Sequence, residues 1–159
     1  CFRTSMLRKI GGFDPLFETY HVNAAEDVDM TYRLNGIGAK MIHVPEAVVR
    51  HKHRESLREF IKQKFEYGRG GYFHCLLRGR DPEEIGHPDA KVGEMAKELL
   101  KYIVRDMPKR YREFRSEHCF SDAMAFSGLG LLRRIAYYAG MLSAKREFSK
   151  IQLPQSPHA

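Results

Sequence analysis

Residues 24–51 read AAEDVDMTYRLNGIGAKMIHVPEAVVRH, and the two halves of this stretch follow different periods. In the first half, Met30, Leu34 and Ile37 recur at i, i+4 and i+7, one face of a helix. That predicts a helix from near Glu26 to the NGIG at 35–38, opened by Glu26, Asp27 and Asp29. In the second half, Met41-Ile42 and Ala47-Val48-Val49 are short apolar runs split by Pro45. They predict two short strands, or one strand interrupted at a sheet edge. Together the halves predict an α/β, helix-rich fold with a few short strands, followed by C-terminal helices.

Upstream, residues 4–12 predict a short helix with Thr4 or Ser5 as cap and Gly11-Gly12 as terminator, then a turn-rich loop around Asp14-Pro15. Downstream, Ser56 and Glu59 form a capping box ahead of an apolar stripe of Leu57, Phe60, Ile61 and Phe65. The GRGG at 68–71 predicts a break or bend, and 79–90 a polar loop. A helix is expected over roughly 90–106, carrying Val92, Met95, Leu99 and Ile103 and stopping before Pro108. Residues 109–118 are charged and helical in pattern, and the tail from Leu153 is expected to be disordered.

Residues 123–144 contain only two charges, Arg133 and Arg134. The length would span a bilayer, but each central arginine costs about 2.5–3.5 kcal/mol on insertion. An interfacial helix, or one packed on the domain with snorkelling arginines, fits better. The expected organisation is therefore 1–54, 55–122, a basic amphipathic helix over 123–150, and a tail over 151–159.

With 159 residues the chain suits one domain. Its net charge is +7, and residues 126–159 hold five basic residues against one acid. That end could face anionic lipid or nucleic acid. Three cysteines without CxxC spacing argue against a disulfide framework or a cysteine zinc site, and for a reducing compartment. Opening on CFRTSM, the chain reads as a fragment of a longer protein.

Three stretches could carry chemistry. The carboxylates of EDVDM could simply serve a helix start, with Asp29 and Arg33 spaced for a surface ion pair. Alternatively, one could act as a general base at a cleft edge. His51 and His53 would share one side of a strand, as metal ligands or as part of an exposed basic end. GRGG with Arg69, preceded by Lys62 and Lys64, could offer positive charge to a diphosphate or act as a hinge. Cys75, beside Leu76-Leu77, is expected in the core.

Read in order, Gly11-Gly12-Phe13-Asp14, Glu26-Asp27-x-Asp29, Arg33-Leu34, Gly38, Pro45-x-Ala47-x-Val49 and His51 resemble the C-terminal, acceptor-side half of family 2 glycosyltransferases of the GT-A type. The match covers about a third of the chain. The resemblance implies a partial GT-A fold and transfer of a sugar from a nucleotide-sugar donor to an acceptor hydroxyl, with inversion. Asp27 would be the general base and Glu26 would place the acceptor. Gly12, Phe13 and Asp14 would line the acceptor side. His51 would lie near the donor diphosphate and its Mg²⁺ or Mn²⁺. The family's donor half, a βαβ unit ending in Asp-x-Asp, is not in the sequence, so the chain alone is expected to be inactive.

The implied acceptor is a glycan or a lipid-linked molecule of envelope synthesis. The implied location is cytoplasmic, peripheral at the inner face of the cell membrane through the C-terminal helix. An exposed sheet edge could support a homodimer. The rival reading is a basic helical module for nucleic acid or an anionic surface, resting on RHKHR and PKRYREFR. Acids interleave the basic residues almost one for one over 55–125, which disfavours nucleic acid.

Overall fold

The computed structural model describes residues 2–51, 56–80, 91–151 and 153. His53, the greater part of the expected loop at 79–90 and all but two residues of the expected tail lie outside them. The described residues form seven α-helices: α1 (Thr4–Lys9), α2 (Leu16–Thr19), α3 (Glu26–Gly36), α4 (Leu57–Leu77), α5 (Val92–Lys101), α6 (Met107–Arg115) and α7 (Phe120–Phe148).

The α/β expectation is overturned: no strand or sheet occurs among the described residues, so a partial GT-A fold with short strands is not what this chain forms. The segment that carries the two β-branched runs is irregular and outward-facing, with Val49 86% exposed. Strand propensity describes fit to a pleated, partnered surface, and no neighbouring strand is there to pair with it. Among the described residues there is therefore no sheet edge to support a homodimer.

α1 ends as expected. Gly11 and Gly12 take positive φ angles of 72° and 77°, and the Gly12 N–H donates back to the Leu7 carbonyl at 3.0 Å. Its start differs, because Arg3 is the capping position and no side chain caps it. α2 forms inside the expected loop: the Asp14 carboxylate accepts from the Leu16 N–H at 3.0 Å and starts a short turn. α3 begins and ends where its pattern predicts. Met30 and Leu34 bury against Ile10, while Ile37 stays exposed.

Ser56 caps α4 as predicted, its Oγ accepting from the Glu59 N–H at 3.2 Å. The stripe fares less well. Leu57 and Ile61 are exposed, and the buried face lies further on, at Gly68, Gly70, Phe73, His74 and Cys75. GRGG neither breaks nor bends the helix, since α4 runs unbroken from Leu57 to Leu77. Its glycines serve close approach instead. A Cβ on Gly68 would run into the Tyr137 carbonyl, and one on Gly70 into the Ala24 carbonyl. From the other side, a Cβ on Gly140 would meet the Phe65 carbonyl.

Partners along α4 and α7 rise together, from Gly68 with Tyr137 to Phe73 with Phe148, so the two helices run in the same direction. Joining them needs a crossover, which α5 and α6 supply. The expected stop before Pro108 does not occur. After Lys101 the chain widens into a π-helical turn, Tyr102–Asp106, and continues as α6 with Pro108 in its first turn. Pro108 has no N–H to donate back into that turn, so the continuous helix lacks one bond where the turn has widened.

α7 packs on the domain, the second of the two sequence alternatives, with Ala123, Ser127, Ala136, Gly140, Met141, Ala144 and Phe148 buried. Arg134 does not snorkel outward; its guanidinium lies 3.9 Å from the centre of the Tyr102 ring. No helix among the described residues is long and apolar enough to cross a membrane. The main core joins Leu16, Phe17 and Val22 to Phe73 of α4 and to Ala144 and Phe148 of α7. Edge-on and tilted ring contacts, Phe17 to Phe73 at 5.2 Å and Phe73 to Phe148 at 5.0 Å, hold it. Cys75 is buried beside this core, as expected.

Candidate active site

The acidic motif opens α3 after Ala25, which takes a positive φ of 71° and offers no side-chain cap. Its three carboxylates part at once. Asp29 is wholly buried, Glu26 is half-buried and Asp27 is exposed. Helix geometry enforces this separation, because two residues along the helix turn about 200° around its axis.

Asp29 anchors a buried ion network rather than the surface pair expected of it. Arg33 Nε donates to Asp29 Oδ2 at 2.8 Å. Arg78, just beyond α4, donates from Nε to Asp29 Oδ1 at 2.6 Å and from Nη2 to Asp29 Oδ2 at 2.9 Å. His74 Nδ1 sits 3.2 Å from Asp29 Oδ1. Arg33 also donates to the carbonyls of Ile10 and Gly12, both at 2.6 Å, and Arg78 Nη2 to Asp14 Oδ2 at 2.6 Å. Burial pushes the Asp29 carboxyl pKa up, but hydrogen bonds from His74, Arg78 and Arg33 outweigh it and hold the group well below the usual carboxylate range. Burial would lower the Arg78 pKa, and its bonds to Asp29 and Asp14 raise it instead.

The network clamps three pieces of chain together: the GGFD turn through Gly12 and Asp14, the start of α3 through Asp29, and the end of α4 through Arg78. Asp27 therefore stands on a rigid mount. Its own Oδ1 accepts from the neighbouring Val28 N–H at 2.8 Å. Glu26 Oε2 is buried and has no hydrogen-bond partner among the described residues.

The remaining candidates lie as follows. Gly12 offers its carbonyl to Arg33, and Phe13 is exposed beside it. Asp14 is buried and tied to Arg78 and Leu16. Arg69 donates to the His21 carbonyl at 2.9 Å and to both oxygens of Glu147, at 2.7 and 2.9 Å, so it pins α4 to the end of α7. His51 lies exposed in the irregular segment. Among the described residues no three or more His, Cys, Asp or Glu side chains gather as a metal site would.

The sequence reading missed His74, Arg78 and the central place of Asp29. A signal for Asp29 and Arg33 was available: both lie on the Met30–Leu34 face of α3, and the same period that buried those two buried the pair. For Arg78 there was none, since it reaches Asp29 from 49 residues away.

The profile of glycosyl transferase family group 2 matches residues 1–146, nearly the whole chain, and the chain belongs to that family. Over 87 residues, 55% of the chain, it is 39% identical to the pre-mycofactocin glycosyltransferase of Mycobacterium tuberculosis strain CDC 1551 / Oshkosh. The match to the protein of that name in strain ATCC 25618 / H37Rv has the same extent and identity. The aligned stretch is 16% of the length of each of these relatives. No solved structure matches the chain.

Proposed function

We propose that this chain is the acceptor-side part of an inverting, nucleotide-sugar-dependent glycosyltransferase, with Asp27 as its general base. One observation carries the reading: of the three motif carboxylates, Asp29 is spent on a buried ion network while Asp27 faces outward from the same rigid turn. A base needs a fixed position and access to the proton it removes, and Asp27 combines the two. In the step proposed, the acceptor hydroxyl oxygen bonds to the anomeric carbon as the nucleoside diphosphate departs. The hydroxyl proton passes to Asp27. Glu26, with its unpartnered buried oxygen, is placed to receive a donor group of the acceptor.

A glycan or lipid-linked acceptor belongs to the same proposal, with contact at the inner membrane face through the exposed side of α7. Phe120, Met124, Leu132 and Ile135 are apolar and exposed there. The described residues do not assemble a Mg²⁺ or Mn²⁺ site around His51.

The test is sugar transfer by the full-length protein carrying Asp27→Asn. A drop of about 10²–10⁴-fold is expected, the usual contribution of a positioned base. The unfolding free energy should stay within about 0.5 kcal/mol of wild type, because the side chain is exposed. Full transfer activity in that variant would overturn the assignment of Asp27.

A further inference from the structure

α7 also forms an antiparallel hairpin with α5, the π-helical turn and α6. Met95 packs beside Met141, the Tyr102 hydroxyl donates to the Ser127 carbonyl at 3.1 Å, and Phe114 stacks on Phe126 at 4.9 Å. Tyr102, Ala123 and Met141 are buried along this seam. Successive residues turn by about 100°, so the residue before a seam position and the residue after it point to opposite sides. Because the helices run antiparallel, the preceding residues of both collect on one side of the hairpin and the following residues on the other.

The preceding side is charged or covered. It holds Lys101 and Asp122, and Gly140 there lies so close to α4 that a Cβ would meet the Phe65 carbonyl. The following side is apolar and open. Ile103 and Met124 stand on it, 44% and 46% exposed. Phe120 and Ile135 continue it along α7, and Leu100 and Val104 form its outer edge, all four exposed. No charged residue falls on this side between Leu99 and Val104 or between Phe120 and Leu142.

Charge returns at the tip of the hairpin. Tyr111 and Phe114 are the residues of α6 that meet Phe120 and Phe126, and each is followed by an arginine, Arg112 and Arg115. Both arginines therefore stand on the open side. Arg112 Nε donates to the Pro108 carbonyl and Arg115 Nη1 to the His118 carbonyl, both at 3.3 Å, and neither meets a carboxylate among the described residues. The nearby acid, Glu113, pairs with Lys109 instead, at 3.9 Å.

Two helices side by side make a flat surface rather than the groove a partner helix needs. A flat uncharged face with unneutralised arginines at one end matches the boundary between acyl chains and anionic headgroups. We infer that this open face, α5 with its π turn beside α7, rests on an anionic lipid surface with Arg112 and Arg115 at the headgroup phosphates. The inference rests on the membrane contact proposed above, extends it from one helix to two and names the lipid class.

The probes are vesicles of phosphatidylcholine alone and of phosphatidylcholine mixed with phosphatidylserine, sedimented with the full-length protein at low salt. The mixed vesicles should bind more protein, and added salt should reduce the difference. Leu100→Gln/Val104→Gln should weaken binding to them by about tenfold or more, through lost apolar contact. Arg112→Gln/Arg115→Gln should bring their binding down to that of neutral vesicles, about tenfold at the usual contribution of a basic residue near such a surface. All four side chains except that of Arg134 beneath them lie outside the core, so thermal unfolding should stay unchanged. Asp27→Asn should sediment as wild type does, so this inference and the assignment of the base fail separately. If Leu132→Asp/Ile135→Asp lowers binding and Leu100→Gln/Val104→Gln does not, contact through α7 stands and this inference falls. It falls equally if wild type binds both vesicles alike, or if the arginine variant keeps its preference for the mixed vesicles. Self-association abolished by Leu100→Gln/Val104→Gln, without vesicle binding, would assign the face to a second copy of the chain and overturn it as well.

Discussion

Arg78 Nε lies 2.6 Å from Asp29 Oδ1, across 49 residues of sequence and inside the protein. That bond makes the end of α4 part of the same rigid unit as the acidic motif. Its energetics are asymmetric. A buried ion pair adds little net stability over an apolar replacement, but removing one partner strands the other charge.

Asp29→Asn should therefore destabilise the protein by about 3–5 kcal/mol in urea unfolding, since Arg33 and Arg78 lose their buried counter-charge. The pH dependence follows from the lowered Asp29 pKa. A carboxyl with a depressed folded value contributes its full stability above its unfolded value of 3.8, and loses it as pH falls further towards the folded value. Wild-type stability should decline below about pH 4, and the Asp29→Asn variant should show a shallower decline. Equal slopes in the two proteins would mean that Asp29 does not carry the effect.

Glycines on one helix should respond with opposite signs. Gly140→Ala drives a methyl into the Phe65 carbonyl, and overpacking of this kind costs about 1–3 kcal/mol. Gly128→Ala, on the same helix with open space around it, should stabilise by roughly 0.5–1 kcal/mol. Thermal unfolding of the two variants checks the pair. A neutral Gly140→Ala would show that α4 and α7 can part without cost.

Membrane contact is best tested by changing the exposed face of α7 and keeping the helix. Deleting 123–159 would remove Ala144 and Phe148 from the core, so lost binding could reflect unfolding. Leu132→Asp with Ile135→Asp leaves the core untouched. Each apolar side chain withdrawn from lipid is worth roughly 1.5–3 kcal/mol on full burial, so sedimentation with anionic vesicles should fall by about tenfold or more. Unchanged sedimentation would remove the membrane from the proposal.

Local signals were legible in the sequence and partnered ones were not. The ends of α3, the Ser56 cap and the Gly11-Gly12 stop each depend on residues within a turn of one another, and all three appear where predicted. The strands at 41–49 failed because a strand is a relationship between two segments, and β-branched composition supplies only one. The GRGG stretch failed for a related reason. Glycine's local freedom suggested a bend, whereas its use here is set by Tyr137 and Ala24, distant in sequence. In the candidate site, the motif singled out Glu26 and Asp27 as candidates, but the mount beneath them comes from His74 on α4 and Arg78 just beyond its end.

The core that backs the acidic motif is closed by Phe148, while Leu16 and Phe17 open it. Contacts between such distant parts of a chain form only after a long loop has closed, which slows folding relative to local helix contacts. During synthesis, α3 can coil as soon as it emerges, yet its surroundings stay incomplete until the last turn of α7 has been made. A ribosome that stalls between the end of α3 and Phe148 releases a chain that has its acidic motif but lacks the packing that fixes it in place.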